Sequence, residues 1–360
     1  SRTMAQSFIQ TDGTRFVYQG STYHYVGVNY WYGMNLAGST DAVERRRLIR
    51  ELDQLQELGV TNLRIMAGSE GPDTEPWRIV PALQSEPGMY NEALLQGLDV
   101  LLAELQKRDM HAVVCLNNMW PWTGGFAQYV SWVTGEAIPY PPPEPEGRWI
   151  RFMRFAGRFF DLPEAQNLYR QHLATIINRV NTVNGRTYRD DPVIMSWQLA
   201  NEPRAIFRTR SYLDWIDSTA RYIHSLDRHH LVSIGSEGNA MLGWSRKFQR
   251  EHKLAGIDYC TAHIWVQNWG WYDPQGENSS FERACRKAEK YLDRHYRISR
   301  RLDKPFVLEE FGLARDQGSY NPQDPVGRRD AYFELLLSQL LRYARDHGAS
   351  AAANIWAWAG

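Results

Sequence analysis

Short apolar runs alternate with amphipathic stretches along this 360-residue chain. The runs predict eight strands, at residues 24–32, 61–67, 111–117, 193–201, 231–238, 259–265, 305–312 and 351–358. The amphipathic stretches predict helices at 42–59, 94–109, 164–181, 212–227, 281–302 and 330–348, with a short helical segment after the fifth strand. This alternation indicates parallel strands closed into a single-domain (β/α)8 TIM barrel over residues 1–360. A doubly wound open sheet is the alternative, but the Gly-rich phosphate loop typical of it does not follow the first strand.

The two ends of the barrel carry further expectations. Residues 8–20 predict a β-hairpin that turns at Asp12-Gly13, and we place it at the base of the barrel. The chain stops at Gly360, directly after the eighth strand, so we expect a barrel that is truncated before its last helix. Gly59 is expected to end the first helix, in which one face collects four leucines. These are Leu48, Leu52, Leu55 and Leu58.

The charge balance narrows the class of partner. Lys+Arg and Asp+Glu both total 41, so no net field attracts nucleic acid or an anionic membrane. No apolar run approaches the roughly 18 residues of a membrane span. The three scattered cysteines include no CxxC pair and predict buried small side chains rather than disulfides or a metal site. The start "SRTMAQSF" contains no export signal, so such a signal is absent or already removed.

The 14 Trp and 19 Tyr are unusual, because many of them stand beside Gly, Pro or Asn. Such placement suits a sugar cleft, where flat rings stack on pyranose faces. In barrels of this type the catalytic groups come from the C-terminal ends of the strands. Those ends and the residues just after them carry Asn29, Tyr30, Trp31, Tyr32, Arg64, Asn117, Asn118, Trp120, Asn201, Glu202, Glu237, His263, Trp265, Glu309, Glu310, Trp356 and Trp358.

A pair of carboxylates at the ends of the fourth and seventh strands is the main candidate for chemistry. Glu202 and either Glu309 or Glu310 would face each other across the barrel mouth, about 5 Å apart, as in retaining glycosidases. One carboxyl must be protonated and the other ionised, and Arg64 is the strand-end arginine that could hold one of them ionised. Residues 309 and 310 alternate in direction along the strand, and the pattern leaves open which one points inward.

Several motifs carry a resemblance to a known family. "WQLANEPR", "VLEEFG", "TAHIW" and "NIWAW" belong to strands four, seven, six and eight, and "TNLRIM" belongs to strand two. "CLNNMWPWTGG", "QYVSW" and "INRVNTVNGRTYRDDPVIMSW" lead from strand three to strand four. In this order they resemble the β-mannan-degrading branch of glycoside hydrolase family 5 over nearly the whole chain. The resemblance implies the same barrel and the hydrolysis of β-1,4-mannosidic bonds.

The resemblance also places roles on residues. Glu202 matches the acid/base and Glu310 the nucleophile, so Glu309 is expected to face outward. Arg64 matches the arginine that orients and ionises the nucleophile. Asn201 matches the amide that bonds the sugar 2-hydroxyl in the −1 subsite, where the contact strengthens as the transition state forms.

A histidine and several indoles complete the expected substrate site. His263 matches the strand-six histidine that helps to position the acid/base. Trp356 matches the platform under the −1 sugar, and Trp358 is a second candidate for that role. Trp120 and Trp31 are expected to bind substrate at the same rim.

These assignments imply a double displacement without a cofactor. Glu310 attacks the anomeric carbon while Glu202 protonates the glycosidic oxygen, and Glu202 then deprotonates the hydrolytic water. The ten histidines show no HExxH spacing, so no metal is expected. Trp265 departs from the family, which usually has a tyrosine whose hydroxyl reaches the nucleophile. An indole N–H donates but cannot accept, and hydrolysis of the glycosyl-enzyme is the step that this difference would affect.

Two loops on the rim bear on where a mannan chain is cut. They are "VTGEAIPYPPPEPEG", residues 133–147, and the Trp-rich "WVQNWGWYDPQ", residues 265–275, both extra relative to the endo-acting relatives. A wall stiffened by proline would block one end of the cleft, which favours an exo-acting β-mannosidase on mannan or manno-oligosaccharides. An endo-β-1,4-mannanase is the close alternative, and a non-catalytic glycan-binding barrel is the distant one. We expect a monomer that is secreted, periplasmic or associated with the cell envelope.

The adjacency of Asn201 and Glu202 poses a geometric problem. Neighbours on a regular strand point to opposite faces, yet both side chains must reach one sugar. We therefore expect a bulge or an irregular backbone dihedral angle between Ala200 and Glu202.

Overall fold

The computed structural model describes residues 7–240 and 246–357. Its strands are β1 (Gln10–Asp12), β2 (Arg15–Tyr18), β3 (Ser21–Tyr23), β4 (Tyr25–Asn29), β5 (Asn62–Met66), β6 (Gln84–Glu86), β7 (Met89–Tyr90), β8 (His111–Cys115), β9 (Ile194–Gln198), β10 (Leu231–Ser233), β11 (Cys260–Ile264), β12 (Phe306–Phe311) and β13 (Ala352–Ile355). Its α-helices are α1 (Gly33–Ala37), α2 (Ala42–Glu57), α3 (Glu92–Lys107), α4 (Gly125–Thr134), α5 (Trp149–Gly157), α6 (Pro163–Ile177), α7 (Thr209–Leu226), α8 (Lys247–His252), α9 (Asn278–Arg301) and α10 (Gly327–His347).

Eight of these strands form one parallel sheet that curves into a barrel. Along the sheet the order is β10, β9, β8, β5, β4, β13, β12 and β11, so the strands follow their order in the chain around the barrel. The Asp258 N–H donates to the Val232 carbonyl at 2.8 Å and the His263 N–H to the Glu237 carbonyl at 3.0 Å, which joins the two end strands. The predicted (β/α)8 barrel is confirmed, and the doubly wound alternative is wrong.

A three-stranded antiparallel sheet, β1–β2–β3, covers the base of the barrel. The predicted hairpin is present as β1 and β2, turning through Gly13 at φ 58°, and β3 is a strand that the pattern did not predict. Phe16 of β2 is fully buried and meets the ring of Tyr259 edge-on at 5.1 Å. Apolar packing therefore fills this end of the barrel, and the opposite end is where a site can lie.

The predicted apolar face of α2 holds for three of its four leucines. The buried ones are Leu48, Leu52 and Leu55. Leu58 is 68% exposed, so its assignment to that face was wrong. The chain reverses at Gly59 with φ 83°, and Val60 takes the buried position while its N–H bonds the Leu55 carbonyl at 3.0 Å. This closure is the usual left-handed helix ending, in which the residue after glycine supplies the apolar contact.

The largest difference from the sequence prediction lies between β8 and α6. This stretch contains α4 and α5, which the periodicity did not predict, separated by the proline-rich segment 135–148. Phe126 of α4 packs against Phe159 at 4.6 Å and Trp215 of α7 at 5.5 Å, measured between ring centroids. Both helices contribute to the largest hydrophobic cluster, so they are core elements rather than surface loops.

Two further outcomes concern the limits of the fold. None of the helices within the described ranges is both long and apolar enough to cross a bilayer. The eighth predicted strand is present as β13, and Trp358 at its predicted end lies outside the described residues.

Candidate active site

Five side chains predicted from the strand ends meet at the C-terminal end of the barrel. They are buried and come from β5, β9, β11 and β12 or the residues just after them: Arg64, Asn201, Glu202, His263 and Glu310. A carboxylate oxygen of Glu202, a ring nitrogen of His263 and a carboxylate oxygen of Glu310 lie within 4.8 Å of one another. Carboxyl groups about 5–5.5 Å apart suit retaining glycosidases, whereas inverting ones need roughly 6.5–9.5 Å for a water. The spacing found here is that of the retaining class.

The guanidinium of Arg64 organises this centre. Its Nη1 donates to Glu310 Oε2 at 2.5 Å and to Asn29 Oδ1 at 3.2 Å. Its Nη2 donates to Asn201 Oδ1 at 3.0 Å, and its Nε donates to Gln198 Oε1 at 2.8 Å. Donors spread over the whole planar fork hold the Glu310 carboxylate in one orientation.

Glu309 does not face outward, so that expectation was wrong. Its side chain is 1% exposed and lies inside the barrel beneath Glu310. Its carboxylate is 2.8 Å from His263 Nε2, accepts from Gln198 Nε2 at 2.9 Å and lies 3.4 Å from Arg64 Nη2. The carboxylates of both Glu309 and Glu310 therefore lie inside the barrel.

A register shift between β11 and β12 explains this placement. Leu308 pairs with Ala262, and Glu310 pairs with His263, so Glu309 is left as the extra residue. An extra residue in one strand breaks the strict alternation of side chains. The simple period of two therefore fails at this point of β12.

The backbone irregularity predicted before Glu202 is present. β9 ends at Gln198, and Glu202 has φ 51°, in the left-handed region that side-chain-bearing residues rarely adopt. Its N–H donates to the Gly235 carbonyl at 2.9 Å. A Cβ at Gly235 would lie 1.7 Å from the Ala200 carbonyl oxygen, so this close approach requires glycine. The prediction is confirmed, and Asn201 and Glu202 both reach the centre.

The Glu202 carboxylate has two hydrogen-bond partners, an imidazole and an indole. Oε2 lies 2.7 Å from His263 Nδ1, and Oε1 accepts from Trp120 Nε1 at 2.8 Å. The amide of Asn201 lies alongside, where Nδ2 donates to Asn118 Oδ1 at 3.2 Å. Trp120, predicted as a substrate-binding residue, is thus also a hydrogen-bond donor to Glu202.

Three indoles form a continuous surface next to Glu310. Trp265 Nε1 donates to Glu310 Oε1 at 3.1 Å, so the indole supplies a hydrogen bond at the position where the family usually has tyrosine. The Trp265 ring meets Trp356 at 5.7 Å, and Trp356 meets Trp31 at the same distance. Trp31 in turn lies 4.6 Å from the Arg64 guanidinium. The predicted aromatic residues of strands one, six and eight are therefore brought together.

A family model described as GH family 5 beta-mannosidase-like matches residues 6–360. This chain belongs to glycoside hydrolase family 5. The crystal structure of a family 5 mannosidase from Rhizomucor miehei is 38% identical, covers 98% of this chain and 86% of that chain, and superposes with a TM-score of 0.91. A mutant of that mannosidase has been solved in complex with mannosyl-fructose.

Proteins whose names describe endo action are also similar. Mannan endo-1,4-beta-mannosidase 1 of Oryza sativa subsp. japonica is 30% identical over 369 residues, which cover 97% of this chain and 78% of the relative. An endo-1,4-beta-D-mannanase from Thermotoga petrophila is 23% identical, with a TM-score of 0.73 over 94% of this chain and 89% of that chain. That second likeness shows the fold alone. The enzyme is therefore a glycoside hydrolase of the mannanase and mannosidase type.

In this family 5 centre, burial and neighbouring charges shift the pKa values of Glu202, His263 and Glu310 in different directions. Burial opposes the charged form of Glu202, but the hydrogen bond and charge of His263 outweigh it and lower the pKa of Glu202 to about 2. Burial likewise opposes the imidazolium, and the carboxylates of Glu310, Glu202 and Glu309 raise the pKa of His263 to about 10. Burial raises the pKa of Glu310 to about 7, opposed by the charges of His263 and Arg64 and aided by that of Glu202.

Glu202, His263 and Glu310 are also spaced as a cation site would be. Their atoms are already used by the His263–Glu202 hydrogen bond and the Arg64–Glu310 ion pair. An added cation would lie beside the buried guanidinium of Arg64, at a large electrostatic cost. Ion pairing and proton sharing explain why the three groups are close.

The proline-rich segment 135–148 stands on the rim and is anchored by side chains. Arg78 Nη2 donates to the Tyr140 hydroxyl at 2.6 Å, and Trp77 Nε1 donates to Glu144 Oε1 at 2.8 Å. Directly after the segment, Trp149 is 48% exposed and meets the Trp120 ring edge-on at 5.7 Å. Trp149, the residue that follows the segment, therefore lies on the side of the centre that carries Glu202.

The Trp-rich loop after β11 contributes less to the centre. Trp269 and Trp271 contact each other at 5.1 Å, and both pack against Tyr291 of α9. Trp265 is thus the loop tryptophan that contacts Glu310.

Sequence reasoning missed two parts of the site. Gln198 lies inside the barrel, where it bonds both Arg64 and Glu309. Arg204 donates to Glu237 at 2.6 Å, and its guanidinium lies 4.9 Å from the Trp120 ring. Polar residues within buried strands were the available signal for Gln198, because such groups need partners. Arg204 follows the Asn-Glu-Pro motif directly, but its partner depends on the fold.

Proposed function

We propose that this enzyme is a retaining, exo-acting β-mannosidase that releases mannose from manno-oligosaccharides. The observation that supports retention is the separation of the Glu202 and Glu310 carboxylates, whose nearest oxygens lie within 4.8 Å. The anchored segment 135–148 supports exo action, because it leads directly into Trp149, whose ring meets that of Trp120, the donor to Glu202, at 5.7 Å. So does the mannosyl-fructose complex of the Rhizomucor miehei mannosidase, because that ligand has only two sugar units.

In the first half-reaction, Glu310 attacks the anomeric carbon and the bond to the leaving oxygen breaks. Glu202 gives its proton to that oxygen, so the leaving sugar departs as a neutral hydroxyl. Arg64 Nη1 donates to one oxygen of Glu310 and orients the carboxylate for attack, and Trp265 Nε1 donates to the other oxygen. The product is a mannosyl-enzyme in which the sugar is bonded to Glu310.

In the second half-reaction, Glu202 takes a proton from a water that attacks the same carbon from the other face. The bond between the sugar and Glu310 breaks, and its electron pair returns to the carboxylate. Two inversions leave the β configuration unchanged. Glu202 thereby takes back the proton that it gave to the leaving oxygen, as acid/base alternation requires.

The remaining residues of the centre position the sugar. Asn201 is held by Arg64 and Asn118, so its amide is fixed next to Glu202, where it would bond the 2-hydroxyl. Trp356 contacts Trp31 and also Trp265, the donor to Glu310, so this group of rings adjoins Glu310 and would stack on the pyranose. A hydrogen bond that strengthens as positive charge develops on the ring lowers the activation barrier of the chemical step, and therefore raises kcat rather than only lowering KM.

Early products from mannohexaose test the proposed exo action. Mannose as the sole small product supports it, and an early spread of mannobiose and mannotriose contradicts it and indicates an endo-mannanase. Substrate turnover should be followed below about a tenth of conversion, because later secondary cleavage hides the first cut.

Two variants test the proposed roles of the carboxylates. Glu310→Gln should lose hydrolysis of every mannoside, and full activity in this variant would refute the assigned nucleophile. Glu202→Ala should lose far more activity on mannobiose than on 2,4-dinitrophenyl β-mannoside, whose leaving group needs little protonation. Azide should restore turnover in Glu202→Ala with formation of β-mannosyl azide, whereas α-mannosyl azide would contradict retention through Glu310. Glu44→Ala on the exposed start of α2 is the control for the effect of substituting a glutamate.

A further inference from the structure

Glu309 is a buried carboxylate that the double displacement does not use. Its hydrogen-bond partners are His263 Nε2 at 2.8 Å and Gln198 Nε2 at 2.9 Å, and it forms an ion pair with Arg64 at 3.4 Å. Burial opposes its ionisation, but Arg64, His263 and Gln198 outweigh that effect and lower the pKa of Glu309. It is therefore a fixed negative charge beneath the centre.

An ionised carboxylate only accepts hydrogen bonds, so it dictates which nitrogen of His263 keeps a proton. His263 Nε2 faces Glu309 and must carry its hydrogen in every protonation state of the ring. His263 Nδ1, 2.7 Å from Glu202 Oε2, is then the position where a proton can come and go. Nε2 of the ring thus always carries a hydrogen, whereas Nδ1 gains and loses a proton.

We propose that Glu309 is a positioning residue that acts through His263 to supply Glu202 with its catalytic proton. This inference rests on the proposed acid/base role of Glu202. Before the first half-reaction the proton moves from His263 Nδ1 to Glu202 Oε2, which leaves a neutral imidazole and a carboxylic acid. The acid then protonates the leaving oxygen. In the second half-reaction the proton taken from water by Glu202 returns to Nδ1, so the cycle balances.

The charges around this relay favour its starting state, in which His263 holds the proton. His263 is 3.6 Å from Glu310 and also faces Glu202 and Glu309, so three carboxylates favour the imidazolium. The cation of the centre, Arg64, is paired with Glu310. Beyond Glu202, the Arg204 guanidinium is paired with Glu237.

The other titratable groups facing Glu309 carry no charge near neutral pH. Burial raises the pKa of Cys115 to about 12, raises those of Tyr25 and Tyr259, and lowers that of His252 to about 3. Glu309 is therefore the negative charge that keeps a hydrogen on Nε2 of His263.

The resting and the reactive state of the centre hold the same number of protons. The raised pKa of His263 and the lowered pKa of Glu202 favour the state with a proton on His263 and none on Glu202. The reactive state needs that same proton on Glu202 with Glu310 ionised. The two states differ only by a transfer along one hydrogen bond, so no proton has to enter from solvent before the sugar leaves.

Glu309→Gln tests the proposal, because it keeps the side-chain shape and one acceptor oxygen but removes the charge. The alkaline limb of kcat/KM should move down by about one pH unit or more, which corresponds to a loss of about tenfold or more for mannobiose above that limb. For 2,4-dinitrophenyl β-mannoside, kcat/KM should stay within about threefold of wild type, since acid assistance matters little there. Equal losses on the two substrates with an unmoved alkaline limb would show that Glu309 is merely structural.

Glu251→Gln is the matched control. Glu251 is also a fully buried glutamate, bonded by Tyr212, Ser236 and Lys247 away from the centre, so its loss perturbs folding but should leave the pH profile unchanged. Thermal unfolding of both variants separates stability from chemistry. A wild type that hydrolyses neither substrate contradicts the proposed function, whereas an active wild type with equal losses in Glu309→Gln contradicts only this inference.

A measurement on the wild type keeps the proposal open to refutation if Glu309→Gln does not fold. Nitrogen-15 NMR of histidine-labelled enzyme reports which ring nitrogen carries hydrogen, and the His263 signals are those missing in His263→Gln. We expect Nε2 to stay protonated at every pH and Nδ1 to titrate. A neutral His263 with its hydrogen on Nδ1 would overturn the proposal.

Discussion

Replacing Trp265 by phenylalanine should slow the second half-reaction more than the first. Trp265 Nε1 donates to Glu310 Oε1 at 3.1 Å. Glu310 loses its negative charge when it bonds the sugar and regains that charge when it leaves. A donor to this oxygen therefore favours departure of the carboxylate and does not help its attack.

The magnitude follows from the type of contact. A hydrogen bond to a charged group contributes about 1.5–3 kcal/mol, and each 1.4 kcal/mol corresponds to about tenfold in rate. Hydrolysis of the mannosyl-enzyme should therefore slow by about 10- to 100-fold. Trp265 is half-buried and the bond has an ordinary length, which places the expectation toward the lower end of that range.

Stopped-flow release of 2,4-dinitrophenolate from its β-mannoside measures the two steps separately. Trp265→Phe should give a burst of one equivalent and then a slow steady state, in which kcat and KM fall together and kcat/KM changes by less than about threefold. Trp265→Tyr differs from the Phe variant by one hydroxyl and should recover most of the rate. Trp269→Phe, in the same loop but packed against Tyr291, controls for the loss of an indole.

Two results would refute this reasoning. Unchanged kcat with no burst would mean that the N–H does not help Glu310 to leave. An equal fall of kcat and kcat/KM would mean that Trp265 acts on the first half-reaction, as a binding surface or by orienting the nucleophile.

Three other predictions concern charge and packing. Since Glu310 attacks as a carboxylate and burial raises its pKa to about 7, kcat/KM should fall as pH drops through about 7 rather than near the model-compound value of 4.5, which a pH–rate profile would show. Arg64→Gln should leave buried carboxylates unpaired and lower the free energy of unfolding by about 3–5 kcal/mol, measurable by denaturant titration; a loss below about 1 kcal/mol would contradict this account. Leu52→Ala should cost about 2–5 kcal/mol, whereas the exposed Leu58→Ala should cost less than about 0.5 kcal/mol, and equal costs would contradict the assigned end of α2.

The barrel could be predicted because its signal is local. Each of the eight strands is a short apolar run between amphipathic helices, and neighbouring strands in the chain are neighbours in the sheet. α4 was missed because Gly125–Thr134 is apolar on most sides and shows no helical stripe to distinguish it from a loop. Leu58 has the correct helical spacing, but the reversal at Gly59 leaves it in solvent. The position of α4 depends on contacts between distant segments, whereas that of Leu58 depends on the local helix ending at Gly59.

The same division holds for the candidate site. Glu202, His263 and Glu310 could be predicted to converge because parallel strands end at one rim. The position of Glu309 could not, since it depends on a register shift against β11 that no period in β12 reveals. The Trp265 contact is intermediate: the sequence showed that an indole replaces the usual tyrosine, and only the fold shows its distance from Glu310.

The charges of this centre must be balanced by the protein, because a mannoside carries none. With His263 protonated, three carboxylates face two cations, which leaves one negative charge in a buried site: Glu202, Glu309 and Glu310 against Arg64 and His263. A neutral substrate gains little from that surplus, but a sugar ring that develops positive charge gains more as the bond breaks, which is the differential stabilisation that catalysis requires. Burying the surplus disfavours folding, and the contacts of Arg64 with Glu309 and Glu310 limit that cost. The negative charge that faces the sugar directly is that of Glu310, whereas Glu309 is enclosed by His263, Gln198 and Arg64 and acts on the proton of His263.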